Sequence, residues 1–303
     1  MVEERLARVE VLPRLEPAEL QRVAWLVEQA TDEDGVRPLG EQTTLQLRHG
    51  GGTTVLLWAG DELAGAAHLD PGTGTGEAVV APALRRRGYG RALVAALLEE
   101  AAGAPVRLWA HGDHAGAAAL AARLGLARVR ELWRMRRPLD GALARPAPPP
   151  GVVLRTFVPG QDDEAWVALN ARAFAHHPEQ GRMTVEDLRL RREEPWFDPD
   201  GFFLAEREGR LVAFHWTKVH GSGPEALGEV YVVGVDPSAQ GLGLGSLVTL
   251  VGLRHLQARG LPAVMLYVDG DNEAALRTYR GLGFVRWDVD VAYGRAVHLA
   301  VGE

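Results

Sequence analysis

The chain has 303 residues, enough for two domains that each bury a core without disulfide or metal staples. Hydrophobic residues make up 47% and charged residues 24%, the balance of a globular protein and not of a disordered or fibrous one. The absence of cysteine excludes a disulfide scaffold, a thiolate zinc site and a catalytic thiol, and the net charge of -7 excludes a chain-wide basic surface for nucleic-acid phosphates.

The opening residues mix Glu and Arg and lack the basic-then-apolar pattern of a secretion signal. No apolar run approaches the ~18 residues that cross a bilayer. The expectation is a cytoplasmic protein, acting as a monomer, that engages neither membrane nor nucleic acid and holds no metal.

In chain order, the first informative segment is a β-rich run at 77–81, followed by Arg85-Arg86-Arg87-Gly88-Tyr89-Gly90 and an apolar-periodic helix at 91–102. A strand at 106–110, a short helix, a glycine turn at 123–126 and a last strand pattern complete this copy. The proline-rich stretch 145–151 reads as a stiff extended linker, which places a boundary between domains at 1–144 and 152–303. The same series then returns: a strand at 229–235, the loop Gln240-Gly241-Leu242-Gly243-Leu244-Gly245, a helix at 246–259, a strand at 263–268, a second helix, and a glycine turn at 281–284. A helix between two strands is the βαβ unit, and its repetition predicts two α/β or α+β domains, each with a mixed, mostly antiparallel sheet flanked by helices.

A glycine loop between strand and helix lets consecutive backbone N–H groups converge on an anion, and the helix dipole adds partial positive charge at the same spot. A triphosphate loop would need a Gly-Lys-Ser/Thr ending, and the only lysine of the chain is Lys218. A dinucleotide fingerprint would need G-x-G-x-x-G, whereas the glycines here are spaced G-x-G-x-G. A plain tight turn explains one copy but not the Gln/Arg-x-x-Gly-x-Gly form in both.

With an Asn-x-x-Ala and a Tyr-x-x-Leu-Gly-Phe downstream, this pattern resembles the GNAT superfamily of N-acetyltransferases. Residues 214–220, 228–237 and 265–268, with 177–181 and 35–41, are similar to the mycothiol synthase family within it, over nearly the whole chain. The resemblance implies acetyl transfer from acetyl-CoA to the free cysteinyl amine of desacetylmycothiol, a cysteine linked to glucosaminyl-inositol. Another amine acceptor, such as a protein N-terminus or an aminoglycoside, and a non-catalytic acyl-CoA sensor remain open. The chain departs from the family's pattern at Gly241 and Leu242, where basic residues are frequent.

The resemblance assigns acceptor contacts to Glu41, Glu179, Lys218, Glu229 and Tyr267; with Glu41 in the first domain, it also implies a pocket between domains. For the cofactor it points to Val233, Gly234 and Val235 through their backbone, to Gln240, Gly241, Leu242, Gly243, Leu244, Gly245 and Ser246, and to Asn272, Glu273, Ala274, Ala275, Leu276 and Arg277. A second CoA site would comprise Ala78, Val79, Val80, Arg85, Arg86, Arg87, Gly88, Tyr89 and Gly90. Amine acetylation needs a base and an acid. Glu229 beside the loop is the candidate base and Tyr279 the candidate acid; a surface strand carboxylate and a packing aromatic are the plain alternatives. Aligning the copies on Pro82 and Pro237 sets Gly74 against Glu229, and aligning them on the glycine turns sets Ala121 against Tyr279. The first copy is therefore expected to keep the phosphate loop and lack the chemistry.

Overall fold

A computed structural model of the chain describes residues 7–177 and 180–295. The strands are β1 (Ala7–Leu12), β2 (Thr53–Ala59), β3 (Glu62–Asp70), β4 (Thr75–Val80), β5 (Arg107–Ala110), β6 (Ala127–Pro138), β7 (Val152–Thr156), β8 (Phe202–Arg207), β9 (Arg210–His220), β10 (Leu227–Val235), β11 (Ala263–Asp269) and β12 (Val285–Gly294). The helices are α1 (Pro17–Asp34), α2 (Glu41–His49), α3 (Tyr89–Glu100), α4 (Ala115–Arg123), α5 (Asp163–Ala173), α6 (Val185–Arg192), α7 (Leu244–Ala258) and α8 (Glu273–Gly281).

Two compact units result. One takes the described residues up to Leu132 together with those from Asp288 onward; the other is Trp133–Trp287. The proline-rich stretch at 145–151 has no regular structure but lies inside the second unit. The division falls elsewhere than at that stretch because β6 and β12 are long strands that each contribute residues to both units.

The first unit orders its strands β1-β2-β3-β4-β5 and adds the end of β12, with Val291 opposite Ala110. Its pairings are antiparallel except β4 with β5. The second unit runs β7-β8-β9-β10-β11 and then β6; the pairings from β7 to β10 are antiparallel and β10 with β11 is parallel. The mixed, mostly antiparallel sheets flanked by helices are those expected from the repeat.

Local chemistry sets the helix ends. At α1, Glu16 and Glu19 form a reciprocal capping box with Pro17 at the first turn, and Gly35 closes the helix in the left-handed conformation. Thr184 and Asp187 do the same at the start of α6.

The core of the second unit centres on Trp166, whose ring meets Phe202, Phe214 and Trp216 edge-on at 5.3–5.6 Å, while Phe202 stacks on Trp216 at 4.7 Å. Buried rings of this size supply much of the apolar area that holds a domain together. Gly234 belongs to this packing: a Cβ there would lie 2.4 Å from the Phe214 ring, so the strand approaches the core only without a side chain. Among the described residues no helix is long and apolar enough to cross a membrane, and no three His, Asp or Glu side chains are grouped to hold a metal ion.

Candidate active site

Strand β10 builds the centre of the site. Against β9 it pairs along its whole length, Leu227 opposite His220 through Val235 opposite Ala213, with a bulge between Val230 and Val232. Against β11 the parallel ladder covers Gly228–Val230 only. A bulge bends its strand and increases the local twist, which draws β10 away from β11 beyond Val230. Val233, Gly234 and Val235 therefore lie where the two strands part, with backbone groups on that edge able to bond an amide-bearing chain as an added strand would.

The far end of this opening is the glycine loop. Gly241 and Gly243 have φ of 84° and 71°, and nothing lies within 4 Å of where a Cβ would stand on either. Gly243 is the N-cap of α7, so the first N–H groups of a 15-residue helix, from Leu244, Gly245 and Ser246, have no helical acceptor of their own. Gln240, Leu242 and Ser246 are exposed and Leu244 is buried as the anchor of the helix. Ahead of the loop Asp236 accepts from the Ser238 N–H and hydroxyl and from Arg172 Nε at 2.7 Å. Burial pushes its carboxyl up, but these bonds outweigh it and hold the pKa down at about 2. The loop thus starts from a fixed carboxylate and provides the concave row of amides that suits a pyrophosphate.

Glu229 sits at the near end, buried, one rung before the ladder opens. Lys218 is directly opposite on β9. Lys218 is buried too, its Nζ 4.2 Å from the Trp196 ring centroid and 5.0 Å from that of Tyr231, an arrangement in which two aromatic faces stabilise the ammonium. Trp196 and Tyr231 are themselves packed on each other and on Trp216, and Arg191 donates from Nε to the Tyr231 hydroxyl at 3.0 Å. The aromatic core thus positions the cation. Glu229 Oε2 lies 2.6 Å from Nε2 of His220.

Tyr279 packs against Phe284 at 5.8 Å, and burial pushes its phenol up to about 12. It stays protonated across the neutral range. Asn272 caps α8 by accepting from the Ala275 N–H at 3.1 Å; along the helix it caps, Glu273, Ala274 and Arg277 are exposed, Ala275 is half-buried and Leu276 is core. Tyr267 is exposed on β11. Glu41 is the first residue of α2 in the other unit, and Glu179 lies outside the described residues.

A family model described as the acetyltransferase (GNAT) family matches residues 19–126 and 168–284, once in each half of the chain. The chain belongs to the GNAT acetyltransferase family. It is 59% identical over 295 residues to the mycothiol acetyltransferase of Thermobispora bispora, covering 95% of this chain and 99% of that one. To the mycothiol acetyltransferase of Thermomonospora curvata it is 60% identical over 280 residues, with 91% and 93% covered. Among solved structures, a GCN5-related N-acetyltransferase from Sphaerobacter thermophilus matches with a TM-score of 0.66 at 25% identity, over 94% of this chain and 95% of that one. A tandem GNAT protein from the clavulanic acid biosynthesis pathway shares the fold with a TM-score of 0.69 at 21% identity, over 95% and 99%. This GNAT enzyme is thus a tandem acetyltransferase.

Its first unit repeats the arrangement with different side chains. Where β4 leaves β5 there is a cleft of 510 Å³, lined by Ala78, Val79, Val80, Arg85, Arg86, Gly88 and Gly90 among others, with Gly88 as N-cap of α3. Arg85, in the place of Gln240, is held by Asp34 through two 2.7 Å bonds. Arg86, in the place of Gly241, carries φ of 65° without being glycine. Arg87 and Tyr89 complete the loop and the first turn of the helix.

Counting back along the ladder from the loop, Thr75 opposite Asp70 holds the register of Glu229 opposite Lys218. That corrects by one residue the correspondence with Gly74 drawn from the prolines. The bulge of β10 contributes the extra residue, and the ladder of β4 with β3 has none.

Glu77 stands nearby but is committed. It accepts from the Gly40 N–H at 2.7 Å and meets Nε2 of His111 at 2.8 Å, while Nδ1 of His111 meets Asp290 at 2.9 Å. Burial opposes protonation of His111, yet the two carboxylates raise it to about 10. Neither the His111–Glu77–Asp290 cluster, nor His220 beside the candidate base, nor Trp196 against Lys218 was singled out by the sequence. The one available signal was alternation, since His220 follows Lys218 by two residues and must share its face.

Proposed function

We propose that the Trp133–Trp287 unit transfers the acetyl group of acetyl-CoA to the cysteinyl amine of desacetylmycothiol. The observation that carries this reading is Glu229: a buried carboxylate one rung from a parting of strands whose other end is an amide-lined helix N-terminus. The identity to proteins named mycothiol acetyltransferase supports the acceptor.

In this reading the loop from Gln240 to Ser246 holds the pyrophosphate of acetyl-CoA. The amides of Val233 to Val235 hold its pantetheine arm and face the thioester carbonyl as negative charge builds on oxygen. The exposed face of α8 from Asn272 to Arg277 flanks the same arm. Lys218, Tyr267 and Glu179 recognise the hydroxyls and charge of the sugar–inositol acceptor, a task for a carboxylate and one compact cation. Glu229 takes a proton from the ammonium so that the nitrogen can attack. Tyr279 gives its proton to the departing sulfur and regains one from the nitrogen as the amide forms. No covalent acyl-enzyme on sulfur is available, because the chain has no cysteine.

The first unit is a holder and not a second catalyst. Its 510 Å³ cleft and arginine loop suit a second CoA, but Thr75 stands in the register of the base and Glu77 is tied to His111. The protein acts in the cytoplasm as a monomer.

Mass spectrometry of the products after incubation with acetyl-CoA and desacetylmycothiol tests the reading. The expected result is mycothiol and CoA in equal amounts, with aminoglycosides and peptide N-termini unmodified. Acetylation of those amines in preference to desacetylmycothiol refutes the acceptor, and no acetyl transfer at all refutes the enzyme.

A further inference from the structure

The geometry points to His220 as the positioning and proton-relay residue of Glu229: its imidazole holds the buried carboxylate at one nitrogen and carries each turnover's proton to solvent from the other. The inference rests on the reading of Glu229 as the base.

Proton bookkeeping creates the need. An ammonium and a thioester become an amide, a free thiol and one proton. Of the two protons the nitrogen loses, one ends on sulfur through Tyr279, and the other arrives on Glu229 and has to leave before the next cycle. Glu229 is poorly placed to discharge it alone, with 7% of its side chain exposed. His220 is placed to do so. It is the last residue of β9, 43% exposed, and two positions beyond Lys218, so it shares the face on which Glu229 lies. The register sets Leu227 opposite His220 and Glu229 opposite Lys218, which makes His220 and Glu229 diagonal neighbours across the pair, within reach for long side chains. They meet at 2.6 Å between Oε2 and Nε2.

Imidazole is the side chain that gains and loses protons near neutrality at two separate atoms. In the step inferred here the carboxyl of Glu229 gives its proton to Nε2, the bond from Nδ1 to its hydrogen breaks, and that proton passes to water. The ring is left with Nε2–H, which donates to the Glu229 carboxylate between turnovers; once Glu229 is protonated again, the ring exchanges through solvent to the Nδ1–H tautomer, whose Nε2 accepts the next proton. Ionisable groups on the elements that pack here include Lys218 on β9, Tyr231 on β10, Tyr267 and Asp269 on β11, Arg191 on α6 and Glu225 in the β9–β10 turn. Lys218 and Arg191 are engaged with the aromatic rings and the Tyr231 hydroxyl, so neither duplicates the role of His220.

The test is chemical rescue on the full chain. His220→Ala is expected to lower kcat about tenfold or more, on the scale of lost proton-transfer catalysis, with KM for acetyl-CoA unchanged within about twofold. Added imidazole restores its kcat in a concentration-dependent way and leaves the wild type unaffected. His220→Gln keeps an N–H donor for the carboxylate but transfers no proton, and it is expected to remain slow with or without imidazole. Wild-type kcat for His220→Ala across pH 6–9, or a deficit that imidazole does not lift, overturns the inference. If His220→Ala does not fold by circular dichroism, His220→Ser is read by the same criteria. Glu229→Gln measured alongside separates the two levels: if it retains wild-type turnover, the assignment of the base has failed, whereas if it is inactive, the His220 variants judge the relay alone.

Discussion

Acid pH is expected to destabilise the second unit through one buried histidine, His215. Its ring is fully buried on β9 beneath α7, where a Cβ on Gly252 would lie 2.1 Å from it. Nδ1 lies 2.9 Å from the carbonyl of Val248. A carbonyl only accepts, so Nδ1 carries the hydrogen and Nε2, buried without a hydrogen-bond partner, bears the lone pair. Protonation would place a charge on that atom. Burial accordingly lowers the pKa to about 4, from 6.5 for a free histidine, with the bond to Val248 only partly opposing it.

Above pH 6.5 both folded and unfolded chains hold this group neutral and it contributes no pH dependence. Below 6.5 the unfolded chain takes the proton and the folded one does not, so stability falls until about pH 4. A gap of about 2.5 pH units at about 1.4 kcal/mol each amounts to about 3–4 kcal/mol, of which about 3 kcal/mol is lost by pH 4, where the folded group is itself half protonated, a large share of the ~5–15 kcal/mol that holds a domain folded. Urea unfolding followed by circular dichroism at pH 7.5, 5.5 and 4.0, on wild type and His215→Asn, isolates it. The asparagine amide keeps a donor for Val248 and has no titration, and every other acid-sensitive group is common to both proteins. The wild type should lose about 3 kcal/mol more than the variant between pH 7.5 and 4. Parallel losses would refute the argument.

Other substitutions probe the site. Glu229→Gln should lower kcat by about 10²-fold or more and Tyr279→Phe by about tenfold or more, whereas Thr75→Ala, in the matching register of the first unit, should leave steady-state turnover unchanged. Lys218→Met fills the same space between Trp196 and Tyr231 without the charge; it should raise KM for the acceptor about tenfold, near the ~1.4 kcal/mol of one good charge contact, and leave KM for acetyl-CoA alone. Arg86→Gly removes a side chain from a left-handed position, so thermal unfolding of the first unit should shift up by about 1 kcal/mol, while titration calorimetry shows weaker CoA binding to that unit.

The repeat, the two glycine loops and the helices they open could be read from the residues, because glycine spacing and apolar period are local properties. So could Glu229, since its place just ahead of the loop follows from chain order. The bulge at Tyr231 could not. A period of two is the same with or without an extra residue, and only the pairing with β9 shows that Glu229 is offset from its apparent counterpart by one.

Contacts between distant positions were hidden for a similar reason. Trp196 comes beneath Lys218 because Trp216 and Tyr231 support it, and the sequence between them says nothing of that distance. The proline-rich stretch looks like a boundary by composition, yet the compact units divide within β6 and β12, since strand partners decide membership. What the sequence by itself determined is the family, the tandem order and the loop that suits a pyrophosphate, all of which depend on short-range spacing and backbone freedom. Only the tertiary structure decided which carboxylate is buried beside a histidine and which is tied to one. Side-chain direction and burial on a strand are fixed by register, and register is set by neighbours far away in the chain.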